Sequence, residues 1–76
     1  MTLSDLRPGQ RGWVLELRCA PELKRRLEDL GLTPGQELWC LHRAPFGSPA
    51  AYEVLGAAIA LRKSEAAGVV LEDRAP

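Results

Sequence analysis

Residues 21–35 read PELKRRLEDLGLTPG, and this stretch decides how the chain folds. Leu23, Leu27 and Leu30 recur at spacings of four and three residues, which places them on one side of a helix. Proline suits the first helical position. In Gly31–Leu32 the glycine can take the left-handed conformation that ends a helix, while the leucine folds back onto the stripe. The stretch therefore predicts one amphipathic helix of about three turns.

Five short segments outside the helix are rich in strand formers or alternate between apolar and polar residues. Proline and glycine mark turns between most of them. The predicted strands cover residues 13–17, 37–43, 50–55, 57–61 and 69–71. A turn at residues 3–6, capped by Ser4, and one helical turn at residues 62–67 complete the prediction.

Five short strands in a chain of 76 residues would expose long sheet edges unless the sheet curls. A small, mostly antiparallel barrel with the helix over one open end closes most of them. The sequence thus predicts a mainly β single domain over residues 1–76, with its core in residues 3–71 and a frayed tail at residues 72–76. The expected core residues are Leu3, Leu6, Val14 or Leu15, Leu23, Leu27, Leu30, Leu38, Cys40, Tyr52, Val54, Ile59, Leu61 and Val70.

The composition, with 46% hydrophobic and 26% charged residues, is that of a globular domain. Ten basic and ten acidic residues cancel, so no overall field attracts nucleic acid or an anionic membrane. The basic run at residues 24–26 is interleaved with acidic residues, which is typical of a solvated helix face. The longest apolar run, residues 56–61, is too short to cross a bilayer, and the first residues do not resemble an export signal. We therefore expect a cytoplasmic protein that neither binds nucleic acid nor inserts into membranes.

Catalytic motifs are absent from the sequence. His42 is the single histidine, and no pattern sets up a triad around it. The glycines fall singly at the ends of predicted elements and form no phosphate-binding loop. The sequence therefore does not predict an enzyme.

Two candidate metal ligands, Cys40 and His42, stand two residues apart on a predicted strand, and such residues share a face of a regular strand. Cysteine and histidine are good ligands for zinc or ferrous iron. Cys19 could add a third ligand and Glu53 a fourth. In the alternative interpretation Cys40 is a small buried hydrophobe and His42 a half-exposed strand residue. The sequence leaves both interpretations open.

Phe46 is a large apolar residue in a segment, residues 44–49, that two prolines and a glycine stiffen into a turn. Its ring either folds back as a lid over the barrel, the more common outcome, or points outward as an anchor for a partner. Arg26 borders the leucine stripe, so its stem either covers the core or reaches a partner. The candidate partner-binding residues are Arg25, Arg26, Arg43, Pro45, Phe46 and Gly47.

Four blocks of sequence, in this order and spacing, resemble one known family. They are LSDLxPG from residue 3, LKRRLxxLGLxPG from residue 23, RAPxGxP from residue 43 and ALRKxEA from residue 60. Over residues 3–71 the chain resembles the FeoA family of bacterial ferrous iron transport proteins. Ser48 and the alanine-rich strands at residues 50–61 depart mildly from the family pattern.

The resemblance implies an SH3-like barrel in the cytosol that binds or regulates FeoB, a membrane ferrous iron transporter with a cytosolic GTPase domain. It implies no catalytic residues and no fixed cofactor, and Cys40 and His42 lie outside the family motif. The fold is similar to the C-terminal domain of iron-dependent repressors. Two alternatives stay open, a domain that binds iron or zinc directly and a repressor-type barrel that engages a regulator or nucleic acid. Homodimer formation is also an open question.

Overall fold

The helix forms where the leucine spacing predicts it. In the computed structural model, which describes residues 1–74, α1 covers Pro21–Asp29 with proline at its start. Gly31 has a φ of 101°, the left-handed conformation that ends a helix. The backbone N–H of Leu32 donates to the carbonyl of Leu27 at 3.0 Å, and the Leu32 side chain is buried. The predicted helix and its glycine end are confirmed.

Five strands form one antiparallel sheet around the core. They are β1 (Arg11–Leu17), β2 (Glu37–Arg43), β3 (Ala50–Val54), β4 (Ala57–Leu61) and β5 (Val69–Leu71). A 3-10 turn at Leu3–Asp5 precedes them, and a one-turn helix α2 (Lys63–Ala66) lies between β4 and β5. The strand order is β4-β3-β2-β1-β5, so the last strand returns to pair with the first. The predicted mainly β architecture, with a helix inserted after the first strand, is confirmed.

The bounds of several elements differ from the prediction. β1 begins at Arg11 instead of residue 13, and α2 covers Lys63–Ala66 instead of residues 62–67. β3 ends at Val54, because Leu55 and Gly56 form a two-residue turn with φ values of 52° and 80°. The cap of the first turn is Thr2 rather than Ser4, since the Thr2 backbone N–H donates to Asp5 Oδ2 at 3.0 Å. All of these differences are local and leave the order of the strands unchanged.

The core draws buried side chains from every strand and from both helices. Leu23 and Ile59 are partly buried and pack against it. The buried apolar residues are Leu3, Leu6, Val14, Leu27, Leu32, Leu38, Cys40, Ala50, Tyr52, Val54, Leu61, Ala66, Val69 and Leu71.

Two residues predicted to lie in the core do not lie there. Leu30 is 39% exposed, because the chain reverses at Gly31 and the side chain that covers the core is Leu32. Val70 is half-buried, since β5 turns its first and third residues inward and its second outward. Local spacing predicted the elements correctly, but the phase of β5 depends on its pairing with β1.

Residues 72–74 follow the last strand and remain bonded to the sheet. The backbone N–H of Glu72 donates to the carbonyl of Trp13 at 2.8 Å, and the Arg74 guanidinium lies 4.1 Å from the centroid of a Trp13 ring. The predicted frayed tail falls partly on residues 75 and 76, which lie outside the described residues. Neither helix in the described part of the chain is long and apolar enough to cross a bilayer.

Candidate functional site: an exposed aromatic loop

The loop of residues 44–49 joins β2 to β3, and we call it the Phe46 loop. The Gly47 N–H donates to the Ala44 carbonyl at 2.7 Å, and the Ala44 N–H donates to the Pro49 carbonyl at 3.0 Å. Gly47 has a φ of 84°, which residues with a side chain rarely adopt. These bonds and the glycine turn hold the loop in one shape.

The Phe46 ring points into solvent, with 97% of the residue exposed. Pro45 beside it is also exposed. The prediction that the Phe46 ring folds back as a lid over the barrel, the more common outcome, is therefore wrong. The barrel beneath needs no lid, because Ala50 and Tyr52 at the base of the loop are already buried by the sheet itself. Among the large apolar residues in the described part of the chain, Phe46 is the most exposed.

Arg43, at the start of the loop, faces the core rather than the loop surface. Its Nη2 donates to the carbonyl of Ser4 at 2.9 Å and also to the carbonyl of Leu6. The residue is half-buried. Its guanidinium thus satisfies backbone oxygens of the N-terminal turn, which is a structural task that the sequence analysis did not identify.

Arg26 and the Phe46 loop border the same surface. A shallow cleft of about 600 Å³ lies between α1 and β4, with Arg26 and Leu30 on one side and Pro49 of the loop nearby. The Arg26 guanidinium pairs with Glu65 on α2. Arg25 is exposed on α1. Of the predicted docking residues, the structure places Arg26 beside the base of the loop and directs Arg43 away from it.

The two candidate metal ligands lie in different environments. The register of β2 against β3 shifts between Cys40 and His42, and this bulge interrupts the regular alternation of faces. Cys40 is 1% exposed in the core, where burial raises the pKa of its thiol, whereas His42 is exposed. The prediction that they share a face is wrong, because it assumed a regular strand. Within residues 1–74, no three His, Cys, Asp or Glu side chains gather closely enough to hold a metal ion, so Cys19 and Glu53 do not complete a site.

A second cavity, of about 360 Å³, lies where the sequence analysis predicted nothing. Arg11 stands between two indole groups, 5.1 Å from a Trp13 ring centroid and 5.5 Å from a Trp39 ring centroid. The Arg74 guanidinium also lies over Trp13, 4.1 Å from a ring centroid. We call this surface the aromatic cleft. Guanidinium groups at such distances from indole rings are attracted by the ring quadrupole, and both kinds of side chain are common in contact surfaces. The aromatic cleft could have been predicted only from the position of Arg11 opposite Trp39. That position follows from the register of β1 against β2, which the sequence analysis did not determine.

A five-stranded barrel with one inserted helix and an exposed aromatic loop belongs to the class of small SH3-like domains. The family comparison gives the narrower assignment. The FeoA domain model matches residues 1–73, and this chain belongs to the FeoA family.

Three solved structures illustrate the relationship. FeoA from Chlorobium tepidum is 38% identical with a TM-score of 0.87, and the match covers 93% of this chain and 68% of that one. Iron(II) transport protein A from Clostridium thermocellum is 35% identical with a TM-score of 0.89, over 95% of this chain and 44% of that one. FeoA from Stenotrophomonas maltophilia, crystallised with zinc, is 34% identical with a TM-score of 0.84, over 95% and 89%.

More distant comparisons show the fold alone. A manganese-dependent transcriptional repressor is 21% identical with a TM-score of 0.84, and the match covers 93% of this chain but 39% of the repressor. The barrel is thus shared with a domain of a longer regulatory protein. No curated protein matches the sequence of this chain.

Proposed function

We propose that this protein is a cytoplasmic accessory factor of ferrous iron transport that binds the cytosolic part of a FeoB-type membrane transporter. Membership of the FeoA family supports the transport role. The Stenotrophomonas relative is described as a prokaryotic SH3 domain protein with a suggested role as a ferrous iron transport activating factor. The observation that carries the proposal is the exposed Phe46 ring on its hydrogen-bonded loop.

An aromatic anchor on a fixed loop suits a docking role for a physical reason. Binding orders the side chains and loops at an interface, and a loop that is already ordered loses little entropy when it docks. Aromatic residues often dominate the energy of such interfaces, with polar side chains around them. Arg26 on α1 lines the cleft at the base of the loop, and Arg25 is an exposed basic residue on the same helix. The proposed interface therefore centres on Phe46 and extends towards α1.

The test is a binding titration of the Phe46→Ala variant against the purified cytosolic domain of the transporter from the same organism. We expect binding to weaken by about 1–3 kcal/mol, which is about 5- to 150-fold in Kd. The melting temperature should stay unchanged, because the ring makes almost no contact with the fold. Leu15→Ala is the matched control, since Leu15 is an exposed apolar residue on β1, outside the loop.

Two results would contradict the proposal at different levels. If Phe46→Ala binds as well as the wild type while Trp39→Ala does not, the interface lies at the aromatic cleft and the docking residues are wrong. If the wild-type protein does not bind the transporter domain at all, the proposed partner is wrong.

A further inference from the structure

The two edges of the sheet are finished differently. The outer edge of β5 is covered by the start of the chain, where Thr2 bridges Val70 and the Leu71 N–H donates to the Met1 carbonyl at 2.9 Å. β4 lies at the opposite end of the sheet, and in the described part of the chain no strand lies on its outer side. The outer backbone edge of β5 is therefore paired, whereas β4 has no strand partner on its outer side in the described part of the chain.

The turn between β3 and β4 determines which backbone groups the outer edge of β4 presents. Leu55 and Gly56 both have positive φ, as in a type I′ turn, and the pair that flanks such a turn exchanges hydrogen bonds. Bonded and non-bonded pairs then alternate along the hairpin. The bonded pairs are Val54 with Ala57, Tyr52 with Ile59 and Ala50 with Leu61. It follows that the N–H and C=O groups of Ala58 and Ala60 point away from β3, into solvent.

The sequence of β4 also lacks the features that keep such an edge from pairing, and α1 is separated from Ala60 by the cleft that Arg26 and Leu30 line. Exposed edges are commonly blocked by a charged side chain, a proline or a bulge. β4 reads AAIAL, with neither charge nor proline, and its register against β3 runs through five pairs without a shift. The side chains of Ala58 and Ala60 are exposed and small, so they leave the approach to the backbone open.

We propose that β4 is a self-association edge, at which two copies of this protein pair their β4 strands antiparallel in a register centred on Ile59. In this register Ala58 of each copy lies opposite Ala60 of the other. Both residues direct their backbone groups outward, so each of the two Ala58–Ala60 pairs closes two N–H···O=C bonds. The two Ile59 residues face each other as a non-bonded pair, with Cα atoms about 4.5 Å apart. The sheets of the two copies become continuous.

The occupant is a second copy because the edge is complementary to itself. A two-fold axis through Ile59 satisfies all the outward groups of Ala58 and Ala60 at once. In the same register Arg62 stands opposite Gly56 of the second copy, so no like charges face each other. The formal net charge of zero adds no repulsion between copies. A strand of five residues makes a small interface, so the association is weak and concentration-dependent.

Sedimentation velocity over a concentration series tests the proposal with three variants. Ala60→Pro removes an outward N–H and with it two bonds of the dimer, while the ladder to β3 keeps its donors. Ala58→Lys places a charge on the edge and keeps the backbone N–H. We expect each to weaken dimer formation at least about tenfold, and we expect the matched control Ala67→Lys, an exposed alanine after α2, to leave it unchanged.

Amide hydrogen exchange supplies a readout that needs no substitution. Raising the concentration of wild-type protein should slow exchange at Ala58 and Ala60, while Ala57 and Ile59, which are bonded to β3 in either state, should not change. If Ala60→Pro fails to fold by circular dichroism, Ala58→Lys and the exchange rates decide. A wild-type protein that stays monomeric at every concentration overturns the proposal. A dimer that both edge variants leave intact also overturns it, because that dimer uses another surface.

Discussion

At Glu65 one carboxylate joins two helices. It accepts a hydrogen bond from the backbone N–H of Arg62, at the start of α2, and another from the guanidinium of Arg26 on α1. The Arg62 N–H, and after it the Arg26 guanidinium, hold the pKa of Glu65 below its usual value of 4.5. Both partners favour the ionised carboxylate, so this link between the helices depends on pH.

We predict that Glu65→Gln lowers the free energy of unfolding at pH 7 by about 0.2–1 kcal/mol, the range for solvent-exposed ion pairs. A carboxylate with a lowered folded pKa stabilises the fold above its unfolded pKa, and this contribution is lost as the pH falls through the folded value. The difference in unfolding free energy between wild type and variant should therefore have its full value above about pH 5 and should disappear under more acidic conditions. Urea titrations across this range measure it, with Glu28→Gln, at an exposed position on α1, as control. A gap that stays constant with pH would contradict the assignment.

At the scale of elements, α1 is held to the barrel by few side chains. Leu27 is fully buried, Leu23 is partly buried and Leu30 is largely outside the core. The three residues look equivalent in the sequence, because all three fit the helical spacing. In the structure the reversal at Gly31 brings Leu32 over the core instead of Leu30. The helix is therefore anchored mainly at its centre and just beyond its end.

Leu27→Ala should cost about 2–5 kcal/mol, since it removes a fully buried side chain and leaves a cavity. That loss is comparable with the whole stability of a domain this small. Leu30→Ala is the matched control from the same stripe, and we expect it to cost about 1 kcal/mol or less. Urea denaturation followed by circular dichroism compares them. Equal losses in the two variants would mean that α1 does not pack as the structure shows.

The secondary structure could be predicted from sequence because its signals are local. The leucine spacing located α1, and alternation with turn residues located β2, β4 and β5 with their observed bounds. Side-chain environments were harder to predict. The bulge between Cys40 and His42 depends on how β2 pairs with β3, and the sequence of β2 alone does not predict it.

Only part of the candidate site could be predicted, again because local sequence signals do not show how distant segments pack. Proline and glycine around Phe46 identified a stiff turn, but whether the ring points inward depends on how completely the sheet covers its own core. The sequence suggested a surface position for Arg43. In the structure its guanidinium donates to a carbonyl oxygen of the N-terminal turn, which is far from it in the sequence. The aromatic cleft forms only when β1 pairs with β2 in the register that places Arg11 opposite Trp39. Residue spacing within one strand does not predict this register, because the two strands are far apart in the sequence.

At the scale of the whole molecule, the barrel keeps its metal-ligating side chains apart. Cys40 lies inside the core and His42 lies outside it. Cys19 follows β1 and lies close to Gly68, just after α2. A Cβ added to Gly68 would be 3.1 Å from the Cβ of Cys19. Glu53 lies on the exposed side of β3, opposite Trp39. Within the described residues no three such side chains come together, and zinc or ferrous iron needs several ligands at one point.

We therefore predict that the monomer binds neither ferrous iron nor zinc tightly at one-to-one stoichiometry. A thiolate is the form of cysteine that binds metal, and burial raises the pKa of Cys40, so metal binding there would require both deprotonation and opening of the core. Any binding should be weak or shared between two molecules, with the apparent affinity rising as protein concentration rises. Calorimetry with zinc, and with ferrous iron under anaerobic conditions, measures this, with Cys19→Ala as control for the more accessible thiol. A submicromolar site in the monomer that disappears in Cys40→Ala would show that the core opens to accept a metal, and the prediction would be wrong.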